Sequence, residues 1–292
     1  MANYCFSGHE SFACKSLWLK RGYDFIVQER DFNAPDAVIH LGVGKNMVSS
    51  IRYWLKVCNI YDNGEITPLG HYLFDDQHGK DPYLEDLATL WLLHFNLVFN
   101  EHATIYRIFF CDFQRERARF TKDQLVSHIK FKLFGEGLKT TYNENTVKKD
   151  IDVLIHSYAL PRKPQSNEDF SALFIDLDLL RINDDGKEHY FNTEGKRKVP
   201  NQIFLYALTK LKEKEGDNTL PYDDIRHYIG MTFCMTDAEI IEMLKQLSSQ
   251  YSDHLAYSDE AGIRQIQFIK DLASETILND YYEANIQSVS QY

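Results

Sequence analysis

No stretch of this 292-residue sequence is apolar for long enough to cross a bilayer. The greasiest segment, residues 87–99, is broken by His94 and Asn96. The start, MANYCFSGHESF, has neither the basic segment nor the apolar core of a secretory signal, so no export is expected. Paired cysteines are missing too. Cys5, Cys14, Cys58, Cys111 and Cys234 are scattered, odd in number and contain no CxxC, which argues against a disulfide scaffold and fits a reducing cytoplasm. Low-complexity tracts are absent, which excludes a disordered chain. The expectation is a soluble, cytoplasmic, ordered protein, long enough to form two or three domains.

Positive charge is also scarce. The chain has 32 Lys and Arg against 43 Asp and Glu, a formal net charge of −11, which argues against a protein that simply coats nucleic acid. The deficit is uneven. Residues 1–72 carry 7 cations against 7 acids, residues 73–199 carry 18 against 21, and residues 200–292 carry 7 against 15. These give net charges of zero, −3 and −8, so a local basic surface remains open to the earlier part of the chain.

What is present is helical periodicity followed by small hairpins, three times over. Met47, Ile51, Trp54, Leu55 and Cys58 fall on one helical stripe. The opposite side carries Lys45, Ser49, Arg52 and Lys56, with Asn46 and Tyr53 beside them. Asn63-Gly64 then supplies the positive φ of a tight hairpin. Thr67 and Pro68 restart a helix as cap and first residue. A helix leading straight into a hairpin is the back half of a winged helix-turn-helix, whose second helix lies in the major groove.

The second unit opens on the capping box FTKDQL, with Thr121 and Gln124 as its pair and Phe120 and Leu125 as a staple. Leu125, Ile129 and Leu133 make its stripe. Asn145 is read as the cap of the next helix, with Val147, Ile151, Leu154 and Tyr158 inward and Lys148 and Lys149 in the first turn. A hairpin turns at Asp185-Gly186, and FNTEGKRK echoes ITPLGHYL as cap, two residues and glycine. The third unit has its own capping box, Thr236 with Glu239, and a hairpin with Ile266 and Phe268 inward. Its exposed helix face, Glu239, Glu242, Lys245 and Gln246, is one that phosphate repels, so it is expected to meet protein, a partner or a second copy. Between the first two units, DPYLEDLATLWLLHFNLVFN predicts a helix capped by Asp81 and opened by Pro82. That helix is apolar nearly all round and so buried on every side.

The motif GVGK invites a phosphate-loop reading, but Ile39 stands where the Walker pattern needs its first glycine and Asn46 where it needs Ser or Thr. Gly42 and Gly44 read instead as a turn between helices. The face Lys45, Asn46, Ser49, Arg52, Tyr53 and Lys56 has three cations and no acid, and its residue types suit phosphate positioning and base-edge contact. A solvated polar face is the bland alternative. Lys148 and Lys149 are weaker candidates for DNA, being diluted by Asp150 and Asp152. Arg115, Arg117 and Arg119 could track a phosphate backbone or pair with nearby acids.

In CFSGHESFACKSLWLKRGYDF, the spacing of Cys5, His9 and Cys14 matches no usual zinc pattern. Ser7, His9 and Glu10 contain the residue types of a triad, yet neighbours in sequence rarely converge on one atom. A tight turn at Gly8 would leave Ser7, His9 and Glu10 as a ligand or partner site, with Phe6, Phe12, Leu17, Trp18 and Tyr23 as anchors. No metal, cofactor or catalytic constellation is expected.

FSGHESFACKSLWLKRGYDF followed by DAVIHLGVGKNMVSSIRYWLK resembles the bacterial family called domain of unknown function 4007, over nearly the whole chain. The resemblance implies a setting in gene clusters for DNA phosphorothioation and phage defence, beside sulfurtransferase-type enzymes related to phosphoadenylylsulfate reductases. It carries no established catalytic residues. The expected fold is mainly α with small β-hairpins: tandem winged helix-turn-helix-like units around a buried connector helix. Residues 1–35 pack on the body, 36–79 form the first unit, 80–119 the connector and Arg-rich loop, 120–199 the second unit and 200–292 the acidic third. The expected function is a DNA-binding accessory protein that grips duplex DNA, with the last unit docking a partner or mediating a homodimer. The alternative is a protein-protein adaptor for a sulfurtransferase-type enzyme, and a third reading is an enzyme centred on His9 and Glu10.

Overall fold

The computed structural model describes residues 4–100, 102–138, 142–161, 170–194, 199–260 and 262–289. The chain is mainly helical with small antiparallel sheets, and it divides into two compact units, Met1–Asn192 and Thr193–Tyr292. No described helix is long and apolar enough to cross a membrane.

The first unit begins with α1 (Trp18–Val27), α2 (Ala37–Leu41) and α3 (Lys45–Val57), followed by a hairpin of β1 (Tyr61–Asp62) and β2 (Glu65–Ile66) and then α4 (Pro68–Phe74). The hairpin turns at Asn63 and Gly64, both at positive φ. The Thr67 hydroxyl caps α4 by accepting from the Gly70 N–H. Helix α3 turns Val48, Ile51, Trp54, Leu55 and Cys58 inward, while Met47 is only half-buried. The stripe therefore starts one residue later than its spacing suggested, because Ser50 is also buried on that side.

Helix α5 (Leu87–Phe99) is buried continuously from Ala88 to Val98. It starts five residues after Pro82, which corrects the expected start. Leu84 sits at φ 58° and breaks the run, and the Asp81 carboxylate accepts from the Glu85 and Asp86 N–H groups in a turn of its own. Asp86 is the cap, accepting from the Ala88 N–H. Inside α5, His94 is fully buried, with its Nδ1 2.7 Å from the Tyr158 hydroxyl and its ring edge-on to Phe110.

The rest of the first unit runs α6 (Thr104–Arg107), a π-helical turn (Ile108–Phe113), α7 (Gln114–Glu116), β3 (Arg119–Phe120), α8 (Lys122–Gly135), α9 (Glu144–Tyr158), β4 (Leu180–Ile182) and β5 (His189–Phe191). Its sheet order is β3-β5-β4, antiparallel throughout. The Thr121–Gln124 capping box opens α8 as its spacing predicts. The cap of α9 is Asn143, whose side chain accepts from the Thr146 N–H, while Asn145 falls inside the first turn. In FNTEGKRK, residues 195–198 lie outside the described residues, and the glycine of the echo of ITPLGHYL lies among them.

The second unit runs α10 (Asn201–Glu215), β6 (Thr219–Pro221), α11 (Tyr222–Ile225) into a π-helical turn, α12 (Asp237–Gln250), β7 (Leu255–Glu260), β8 (Ile263–Phe268) and α13 (Ser274–Val289). Its sheet order is β6-β8-β7. The Thr236–Glu239 capping box is formed, and Ile266 and Phe268 are buried. Glu242, Lys245 and Gln246 stand exposed on α12, while Glu239 is half-buried in its box.

Candidate nucleic-acid interface

The GVGK segment is the turn that joins α2 to α3. Gly42 ends α2 at φ 64°, a left-handed conformation that favours glycine. Gly44 precedes α3 in extended conformation and offers no side-chain cap, so the first N–H groups of this 13-residue helix stay unfilled by side chains. Lys45 and Asn46 are exposed at that end.

One to three turns on, Ser49, Arg52, Tyr53 and Lys56 line one wall of an open groove of about 550 Å³. Tyr61, Asn63 and Gly64 of the hairpin line another, and Phe32 and Asn33 of the loop before α2 complete it. Arg52 reaches Asn33, with Nη1 donating to Oδ1 at 3.4 Å. Among the described residues, no carboxylate pairs with Lys45, Arg52 or Lys56. The hairpin is acidic, since Asp62 and Glu65 are both exposed.

The FSGHES loop is wound tightly, with Ser7, Gly8, Glu10 and Ser11 all at positive φ. It is fixed at several points. The Cys5 N–H donates to Thr104 Oγ1 at 2.8 Å, and the Ser7 N–H to Asp150 Oδ2 at 2.8 Å. His9 Nδ1 accepts from the Ser11 N–H at 3.1 Å, so its proton sits on Nε2, which donates to Asp150 Oδ1 at 3.0 Å. Trp54 Nε1 donates to the Phe12 carbonyl at 3.0 Å. A Cβ on Gly8 would stand 2.6 Å from the Tyr53 ring, and His9 lies edge-on to that ring at 5.8 Å. Burial pushes the Tyr53 phenol well up, with neighbouring Tyr106 and Asp150 adding to it, so the hydroxyl keeps its proton.

Ser7 and Glu10 are exposed, but His9 and Asp150 are buried. His9 thus points to the interior and joins Asp150 of α9 to Tyr53 of α3, instead of projecting as a free polar group. Asp150 does not dilute the charge of Lys149, because its carboxylate faces His9. Leu17 is about half exposed, whereas Trp18 and Tyr23 are buried. Lys148 pairs with Glu144 at 2.7 Å, and Lys149 opens on a separate cleft. Arg115, Arg117 and Arg119 are exposed, with the Arg119 guanidinium over the Tyr190 ring. Cys14 is fully buried and its thiol is pushed well up by burial, with Cys58 close by. Among the described residues, no three His, Cys, Asp or Glu side chains gather as a metal centre would need.

Sequence reasoning found the helical face and the hairpin tip but missed Phe32, Asn33 and Tyr61. Tyr61 lies on β1 just before the tip, whereas Phe32 and Asn33 come from the loop before α2, with Asn33 19 positions from Arg52, and no local signal encodes such a contact.

The arrangement defines a mainly helical protein with small antiparallel sheets and an acid-free helical face lining a groove. The chain belongs to the family described as Protein of unknown function (DUF4007), which matches over residues 6–282. Two solved structures are similar. "Magnesium ion-bound SspB crystal structure" has a TM-score of 0.81 at 25% identity, covering 96% of this chain and 88% of that one. "SspB crystal structure" has 0.79 at 26% identity with the same coverage. No curated protein sequence matches.

Proposed function

We propose that this chain is an accessory protein of a DNA-modification system and that it grips duplex DNA through α3 and the β1–β2 hairpin. The likeness to SspB and the membership of the family support the setting that the resemblance implies. The observation that carries the DNA reading is the groove. Lys45, Arg52 and Lys56 stand on α3 without a carboxylate partner among the described residues, in a chain of net charge −11. Unpaired cations on one face are what phosphate contacts require, and the uncapped start of α3 adds backbone donors for an anion. Asn46 and Arg52 have the chemistry for base edges, Ser49 and Tyr53 for phosphate.

In this reading α3 is the recognition helix and the hairpin is the wing. Asp62 and Glu65 give the wing no charge to offer, so its part is shape, with Asn63 and the Gly64 backbone as donors. The sheet orders β3-β5-β4 and β6-β8-β7, each with two helices between the first strand and the hairpin, suit two further winged-helix units. Lys148 and Lys149 on α9 are a secondary contact at most, since Lys148 is engaged by Glu144. The acidic second unit, with Glu242 exposed on α12, docks protein: a modification enzyme of the sulfurtransferase type or a second copy. One of the SspB structures is magnesium-bound; among the described residues of this chain no three His, Cys, Asp or Glu side chains gather to hold such an ion in a protein cage.

Fluorescence anisotropy with a 20-base-pair duplex, plain and phosphorothioated, tests the grip. Arg52→Ala with Lys56→Ala is expected to weaken binding at low salt by about tenfold or more. Parent-like binding by a folded double variant removes α3 from the interface. If neither duplex binds the parent, the adaptor reading takes its place.

A further inference from the structure

We infer that a second cleft, bounded by the end of the FSGHES loop and by α9, binds a nucleotide, independently of the groove on α3. The cleft measures about 570 Å³, which is within the range of small-molecule sites. Lys15, whose ammonium lies over the Trp18 ring at 5.9 Å, joins Lys122 and Lys149 from three separate segments, with His156 beside them and, among the described residues, Asp152 as the one carboxylate of the lining. Three lysines lining one cleft against one described acid are out of keeping with a chain in which acids outnumber cations. They mark a site for an anion.

Two further features narrow the anion to a phosphate ester with a flat body. Phe12, Ala13, Val153 and Ala172 give the same cleft an apolar side against which a base can lie. The walls are also fixed in advance. The Ser16 N–H donates to the Ser171 carbonyl at 3.2 Å and the Leu173 N–H to the Cys14 carbonyl at 2.8 Å, which stitches residues 14–16 to 171–173 as a short antiparallel ladder. On the loop side, Phe12 is held by Trp54 and by its own N–H to the His9 carbonyl at 2.8 Å. A site shaped before its ligand arrives loses little to ordering on binding.

The cations are not equally ready. Lys149 makes no ion pair among the described residues, whereas Lys122 is held by Asp152 at 2.5 Å. A phosphate entering the cleft competes with Asp152 for Lys122, and this gives the proposal a signature that plain surface charge would not. Asp152→Asn releases Lys122 and tightens nucleotide binding, while Lys122→Ala with Lys149→Ala weakens it by about tenfold. All three side chains are exposed, so the variants are expected to fold.

The test is isothermal titration of the intact chain with AMP, ATP, inorganic pyrophosphate and an eight-residue single-stranded oligonucleotide, each repeated with the two variants. Saturable one-to-one binding of AMP or ATP with the stated opposite responses supports a free nucleotide as ligand. The same responses with the oligonucleotide alone support a nucleotide presented by a strand. Pyrophosphate binding as tightly as ATP removes the role of the apolar wall and overturns the nucleotide assignment. So does an affinity unchanged by Lys122→Ala with Lys149→Ala, or no binding of any probe. Arg52→Ala with Lys56→Ala serves as the control that separates the two sites, and it is expected to lose duplex binding while keeping nucleotide binding.

Discussion

A single glycine shows how closely the FSGHES loop is matched to α3. Gly8 lies at φ 111° with its Cα against the Tyr53 ring, so Gly8→Ala meets both a backbone penalty and a clash with a packed aromatic. It is expected to destabilise the protein by about 2 kcal/mol. A lower midpoint in urea with unchanged slope would show this, and an unshifted midpoint would mean that the loop can move away from Tyr53 freely. His9 makes the complementary case. Removing it leaves the Asp150 carboxylate buried with the Ser7 N–H as its remaining donor, and His9→Ala is expected to cost about 3 kcal/mol. The unusual density of special residues in FSGHES was legible in the sequence, but its purpose was not. The partner that explains His9, Asp150, lies 141 positions away, and no local pattern encodes a contact of that range.

At the scale of the element, the strongest signals were capping boxes and turn glycines, because each is satisfied within a few residues of chain. Thr121, Thr236 and Asn63-Gly64 all act where their spacing places them. Where two candidate caps compete, spacing does not decide. Asp81 and Asn145 were plausible caps, and Asp86 and Asn143 do the work because their side chains meet the free N–H groups of the helices as built. The apolar character of α5 was equally readable, and Leu93, fully buried within it, carries a clear consequence. Leu93→Ala is expected to lose about 2–5 kcal/mol, read from chemical denaturation.

The sheet β3-β5-β4 adds a pH dependence. His189 on β5 is buried and stacks on Phe120, and burial, with Lys122 adding to it, holds its pKa below the ordinary 6.5. Below about that pH the unfolded chain takes up a proton that the folded chain resists, so stability falls as pH drops from 6.5 toward the depressed value. His189→Gln is expected to flatten that acid limb. Parallel stability curves for parent and variant between neutral and mildly acidic pH would assign the limb to other groups.

For the whole molecule, the decisive quantity is the contrast between overall and local charge. A chain of net charge −11 has no general attraction to a polyanion, and 8 of those negative charges, from 15 acids against 7 cations, fall in residues 200–292. Binding to duplex DNA must then come from a small, local set of contacts, and counterion release makes their number measurable. Three phosphates neutralised by Lys45, Arg52 and Lys56 predict a slope of about −3 for the logarithm of the binding constant against that of salt concentration. Removing Arg52 and Lys56 should bring the slope to about −1. A slope near zero in the parent would mean that DNA, if bound at all, is held without these cations. A slope far steeper than −3 would bring in further basic residues, with Arg115, Arg117 and Arg119 the first to replace. The exponent therefore tells a confined grip from a diffuse one, even where affinity alone would look the same.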